Sequence, residues 1–135
     1  SMPGLATRVL GTIYLTRFWQ RRMSKRAARS QERRYPDDWV FEFVPGDSST
    51  FTFGINHLEC GICKYYKRMG AEKYIPYLCL LDYPLFAMLG VCLERTETLG
   101  NGAMRCDFRF SRRKPVAGGW PPDSVKEFRG GGKRT

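Results

Sequence analysis

A single proline divides this chain into two regimes of hydrophobic periodicity. Ahead of Tyr35-Pro36-Asp37-Asp38, apolar side chains recur at Val9, Leu10, Ile13, Tyr14, Leu15, Phe18, Trp19 and Met23 with steps of four, the period of a helix that buries one face. Behind it, Trp39-Val-Phe-Glu-Phe-Val44 and Thr50-Phe-Thr-Phe-Gly-Ile55 read as strands on either side of the turn Pro45-Gly-Asp-Ser-Ser49. A residue that precedes proline is pushed out of the α region, so the helix must stop at Tyr35. Residues 1–34 are therefore expected as one long basic amphipathic helix, and 39–55 as a hairpin. Beyond Met23 the apolar face gives way to Lys25, Arg26, Arg29, Arg33 and Arg34. The first half of the helix should pack on the body and the second half should project into solvent or against a partner.

The remainder follows from glycine and proline punctuation. A helix is expected from His57 to Met69, closed by Gly70, and a second from about Ala71 to Leu89, closed by Gly90. Pro76 lies in the first turn or so of the second helix, and Pro84 should bend or split it. Val91 to Leu99 then reads as a strand, Gly100-Asn101-Gly102 as a tight turn, and Met104 to Phe110 as the partner strand. Alternation puts Cys106, Phe108 and Phe110 on one face and Asp107 and Arg109 on the other. No internal repeat is present. The order helix, hairpin, two helices, hairpin implies an α+β fold: an antiparallel sheet of two hairpins with helices packed on one face, preceded by the long basic helix. The organisation is a helix over 1–34, a core over 35–111 and a loose basic tail over 112–135, rich in Gly, Pro and Lys/Arg.

At 135 residues the chain suffices for one compact core and not two, and 42% hydrophobic with 14% aromatic content makes it globular. The net charge of +10 is unevenly placed: +8 over residues 1–34, −3 over 35–110 and +5 over 111–135. The body is mildly acidic and the basic excess sits at the ends, where such runs mostly form a solvated helix face. This points away from nucleic-acid binding, while a homo-oligomer using the basic helix as a contact stays open. Arg8 and Arg17 leave only eight uncharged residues between them, where a membrane span needs roughly 20. With no signal peptide in view, a soluble cytoplasmic protein is expected.

The five cysteines are odd in number and do not follow a secreted disulfide framework, which suits a reducing compartment. Cys63 and Cys92 fit small buried hydrophobes. Cys60-Gly-Ile-Cys63 is a CxxC pair, half of a zinc site or a redox dithiol. No second pair follows, so a metal would need Cys79, Cys106 or His57 to join Cys60 and Cys63, and the βαβ context of a thioredoxin-like motif is missing. Cys79 and Asp82 are three apart, neighbours on a helix, and that carboxylate could exchange a proton with substrate or water. His57, the only histidine, fits a surface or cap position and could otherwise serve as base for a thiol. In Arg95-Thr96-Glu97-Thr98, Arg95 could hold a substrate carboxylate through a bidentate pair, or the run could be an ordinary exposed strand face.

In order and spacing, Asn56, Cys60, Cys79-x-x-Asp82, Arg95-Thr-x-Thr98, Gly102 and Cys106-Asp-Phe-x-Phe110 resemble the L-2-amino-thiazoline-4-carboxylic acid hydrolase family. The phrases Glu59-Cys-Gly-Ile-Cys-Lys64 and Tyr77-Leu-Cys-Leu-Leu-Asp82 resemble one subgroup, and the resemblance covers roughly residues 35–111. It implies a hydrolase acting on carbon-nitrogen bonds of cyclic amidines: water adds to the carbon between ring nitrogen and sulfur, and 2-amino-thiazoline-4-carboxylate opens to a carbamoyl-cysteine. Such chemistry asks for a base or thiolate, a donor for the leaving nitrogen and a carboxylate anchor. The expected catalytic residues are Cys79 or Cys106 as nucleophile, Asp82 as general acid or base and Asn56 as orienting donor, with Arg95, Thr96 and Thr98 binding the substrate. No cofactor is expected. The alternative is a small-molecule or metal-binding sensor domain without catalytic activity.

Overall fold

The computed structural model describes residues 4–112, so the expected tail falls almost wholly outside the described residues. The N-terminal segment is two helices, α1 (Leu5–Tyr14) and α2 (Arg17–Ser30), where one was expected. Thr16 makes the break. Its backbone is extended, its hydroxyl accepts the Trp19 N–H at 3.3 Å, and the same hydroxyl donates to the Ile13 carbonyl at 2.7 Å. A threonine used as N-cap satisfies a donor that the first turn of a helix leaves orphaned. The break turns Leu15 into the core, between the apolar faces of the two helices.

The second half of α2 does not project into solvent. Ala27 is buried, and Ser30 Oγ accepts the Phe41 N–H at 3.0 Å and lies 3.2 Å from the Phe41 carbonyl, fastening the helix end to the edge strand β1 (Val40–Pro45). After β1 the Asp47 carboxylate accepts the N–H groups of Ser49 and Thr50 and closes the turn. β2 then runs Phe53–Glu59, later in the chain than expected. His57 was expected to open a helix; it is instead a strand residue, paired with Phe41 on β1 and with Cys106 on the opposite neighbour. Pairing on both sides outweighs local helix propensity.

α3 (Gly61–Arg68) follows immediately, and Gly70 ends it in the left-handed region at φ 66°. The expected single helix over 71–89 is a 3-10 turn (Glu72–Tyr74), α4 (Ile75–Leu80) and α5 (Asp82–Met88). Pro84 has no N–H to give to Leu80 and is tolerated only in the first turn of a new helix, which places the break at Leu81. β3 is short, Cys92–Glu94, in place of the expected strand over 91–99, and β4 is Cys106–Ser111. Between them the expected tight turn is a longer connection containing a 3-10 turn, Leu99–Asn101, that ends on Gly102 at φ 89°.

The architecture is α+β, with all strand pairings antiparallel and a strand order of β1-β2-β4-β3. The two hairpin partners are joined through β2 and β4, so Phe53 lies opposite Phe110, Ile55 opposite Phe108 and His57 opposite Cys106. These residues form the inner face, on which Leu15, Tyr14, Trp19, Phe86 and Leu93 pack. Tyr14 sits at the centre of the aromatic cluster, its ring 5.1 to 5.7 Å from those of Trp19, Phe53, Phe86 and Phe110. Where α1 crosses the end of α5 there is room only for glycine: a Cβ on Gly11 would lie 1.7 Å from the Leu89 carbonyl oxygen.

Candidate functional site

Arg95 is the organising residue of the inner face. Its side chain is 1% exposed and donates through Nη1 to Asp82 Oδ2 at 2.9 Å and through Nη2 to the Cys79 carbonyl at 2.8 Å. The guanidinium lies between two rings, 5.1 Å from that of Tyr83 and 4.9 Å from that of Phe108. A buried guanidinium survives only when its charge is paired and its donors are occupied. The partner carboxylate keeps water: Asp82 is 34% exposed at the start of α5. The pair thus joins the buried interior to an accessible carboxylate.

The expected strand over 91–99 ends early because Asp107 captures the backbone that would have continued it. Its carboxylate accepts the N–H groups of Thr96 and Glu97, each at 2.8 Å, and the Thr96 hydroxyl. The bend turns Arg95 inward while Thr96 goes to the outer side with Asp107. Thr98 is fully buried and caps the 3-10 turn, its Oγ1 accepting the Asn101 N–H at 3.2 Å.

That 3-10 turn lies between two thiols. A Cβ on Gly100 would lie 3.1 Å from Cys79 Sγ and 2.7 Å from Ile75 Cγ2, so α4 and the turn approach closely with the Cys79 thiol at the contact. On the other side Cys106 Sγ accepts the Leu99 N–H at 3.2 Å. Burial pushes the Cys106 thiol up to about 12, with the charge at Cys79 adding to it; the Leu99 N–H and Arg95 act in the opposite direction. Cys106 is therefore a neutral thiol at pH 7. Cys79 is half-buried.

Two further side chains reach this region: His57, expected at a surface or cap position unless it served a thiol as base, and Tyr14, not expected there at all. His57 is sandwiched between Phe41, at 5.6 Å, and Phe108, at 5.0 Å, and its Nδ1 has no hydrogen-bond partner among the described residues. Burial, and secondarily the charge of Arg95, lowers it to about 4, so it is a neutral imidazole in the core and not the surface or cap residue expected. Tyr14 is held well above the ordinary tyrosine range by burial and by the Asp82 charge, which brings α1 to the edge of the site. The apolar periodicity of α1 marked Tyr14 as buried but carried no signal of its polar end.

Of the residues expected to act together, Cys79, Asp82, Arg95, Thr98 and Cys106 converge. Asn56 and Thr96 do not. β2 extends to Glu59, so its alternation puts Phe53, Ile55 and His57 on the inner face and Asn56 on the outer one, opposite Asp107. There Asn56 Oδ1 accepts a hydrogen bond from Arg109 Nη1 at 2.9 Å. Among the described residues, no group of three or more His, Cys, Asp or Glu side chains is arranged to hold a metal ion, so Cys60, Cys63, Cys79 and Cys106 form no such set. No described helix is long and apolar enough to cross a membrane.

A family model, L-2-amino-thiazoline-4-carboxylic acid hydrolase, matches residues 8–110. The match takes in both N-terminal helices as well as the motifs behind Pro36. No curated protein and no solved structure matches the chain.

Proposed function

The chain belongs to the L-2-amino-thiazoline-4-carboxylic acid hydrolase family, and from that premise we propose that it opens a cyclic amidine such as 2-amino-thiazoline-4-carboxylate to a carbamoyl-cysteine. The observation that carries the proposal is the Asp82–Arg95 pair: an accessible carboxylate fixed in direction by a buried guanidinium that also holds the Cys79 backbone.

In this scheme Asp82 is the general acid and base. It takes the thiol proton as the Cys79 sulfur adds to the amidine carbon and returns it to the ring heteroatom that departs; water then adds to the same carbon, Asp82 taking its proton and giving it to the Cys79 sulfur, so that the bond to Cys79 breaks and the carbamoyl product is released. Cys79 is the candidate thiol nucleophile, because it is half-exposed while Cys106 is buried and protonated. Arg95 was expected to anchor the substrate carboxylate. Its burial and its engagement with Asp82 and the Cys79 carbonyl suit it better to orienting Asp82. Thr98 supports the scheme through the 3-10 turn that it caps, and Asn56 and Thr96 take no part in it.

The test is direct. Purified protein is incubated with 2-amino-thiazoline-4-carboxylate and the products are followed by mass spectrometry. A carbamoyl-cysteine formed in proportion to enzyme and time is expected, and no product above the enzyme-free rate would overturn the proposal.

A further inference from the structure

The CxxC pair takes no part in the scheme above, yet it is built in a way that an inert buried pair does not require. β2 ends at Glu59, Cys60 is extended (φ −121°, ψ 122°), and α3 begins at the next residue. Cys60 is thus the N-cap of α3 and Cys63 lies one turn inside it, at the spacing that puts side chains next to each other on a helix. Cys60 is partly exposed and Cys63 is buried. Trp39 packs over the join so closely that a Cβ on Gly61 would lie 2.8 Å from its ring.

The Cys60 side chain makes no capping hydrogen bond, yet its thiol is held down to about 6, first by the neighbouring Cys63 thiol and then, against the effect of burial, by the N–H groups that open the helix and by Trp39. Cys63 is pushed up, first by its hydrogen bond to Cys60 and then by its own burial. One thiol is thus prepared to attack and its neighbour is kept as a protonated reserve.

We propose that Cys60 and Cys63 form a redox dithiol that exchanges with low-molecular-weight disulfides, Cys60 attacking and Cys63 resolving. In the first step the Cys60 thiolate attacks one sulfur of the disulfide RSSR; a mixed disulfide forms and RS⁻ departs. In the second, Cys63 gives up its proton and attacks Cys60 Sγ, which forms the Cys60–Cys63 disulfide and releases the second thiol. The dithiol loses two electrons and two protons, and RSSR becomes two RSH. Sequence context argued against a thioredoxin-like pair because no βαβ unit was expected around it, and the antiparallel sheet supplies none. The structure adds a local feature instead: β2 runs to Glu59 and delivers the chain straight into the helix N-terminus, which puts Cys60 at the cap.

Trypsin separates the cysteines cleanly: Cys60 and Cys63 fall in residues 35–64, Cys79 and Cys92 in 74–95, and Cys106 in 106–109. The full chain is incubated with oxidised glutathione, quenched by alkylation and mapped by mass spectrometry. Peptide 35–64 is expected to lose two hydrogens before either other peptide changes. A Cys63→Ser variant should stop at the mixed disulfide on Cys60, and Cys60→Ser should leave the peptide unmodified. First reaction in 74–95 or 106–109, or no mixed disulfide in Cys63→Ser, would overturn the proposal. The order of reaction in the unmodified chain decides the matter even if a variant fails to fold, and neither result bears on ring opening.

Discussion

Asp82 and Arg95 differ in how much water each keeps, and the difference sets what substitution does. Asp82→Asn leaves a guanidinium at 1% exposure without its counter-charge. Arg95→Met removes the buried charge and leaves a carboxylate that already reaches solvent. Removing the exposed partner is the costlier change, because it leaves the buried charge uncompensated. Urea unfolding should show Asp82→Asn less stable by about 3 kcal/mol, with Asp82→Asn/Arg95→Met recovering most of the loss; equal losses in Asp82→Asn and the double variant would contradict the assignment. His57 carries a second prediction. It titrates at about 4 when folded and near 6.5 when not, so between those values the unfolded chain takes the proton and the folded one does not. Its contribution is complete above pH 6.5 and is lost as pH falls toward 4, by up to roughly 3 kcal/mol. The stability difference between the wild type and His57→Leu should therefore follow that window, and a difference independent of pH between 4 and 7 would exclude it. At this scale the expected single-helix spacing of Cys79 and Asp82 did not carry over, because the chain breaks at Leu81 between α4 and α5; Arg95 links the two by bonding the Cys79 carbonyl and the Asp82 carboxylate. The place of His57 was not legible either, because its ring is held by Phe41 and Phe108 from two other strands.

At the scale of elements, hydrophobic period identified helix and strand, while single side chains decided where each stopped. Thr16 split the N-terminal helix by capping its second half, and Asp107 shortened β3 by taking the N–H groups of Thr96 and Glu97. Neither effect can be read from periodicity, since each depends on a hydroxyl or carboxylate meeting particular backbone groups. The parity of Asn56 was lost in the same way: a strand ending at Ile55 leaves its direction undefined, and one that reaches Glu59 turns it outward. Pro84 was legible because a missing N–H acts without tertiary help. The tightest contact between elements gives the prediction here. Gly11→Ala puts a methyl group into the backbone of Leu89 and should cost about 2 kcal/mol or more, whereas Gly4→Ala, with open space around it, should cost little. Comparable unfolding midpoints for the two variants would mean that α1 does not cross α5 as described.

For the whole molecule, the α+β class and the two hairpin pairs were legible, and the way they join was not. Local pattern fixes which strands are neighbours through a turn. That β2 and β4 pair at the centre of the sheet follows from Phe53, Ile55 and His57 meeting Phe110, Phe108 and Cys106, a long-range fit between two apolar faces. This central pairing, with the Asp107 bend beside it, brings Arg95 from one end of the chain's core to Cys79 and Asp82 on the helices above. It also leaves Asn56, close to those residues in the order of motifs, on the far side of the sheet. The basic N-terminal segment, expected half in solvent, is part of the body: Leu15 enters the core and Ser30 bonds Phe41. The measurement that tests the central claim most directly is kcat on 2-amino-thiazoline-4-carboxylate for Asp82→Asn and Cys106→Ser, each below its unfolding midpoint. Loss of a general acid and base should lower kcat by roughly 100-fold or more in Asp82→Asn, while Cys106→Ser keeps most of it; an Asp82→Asn enzyme as fast as the wild type would contradict the account.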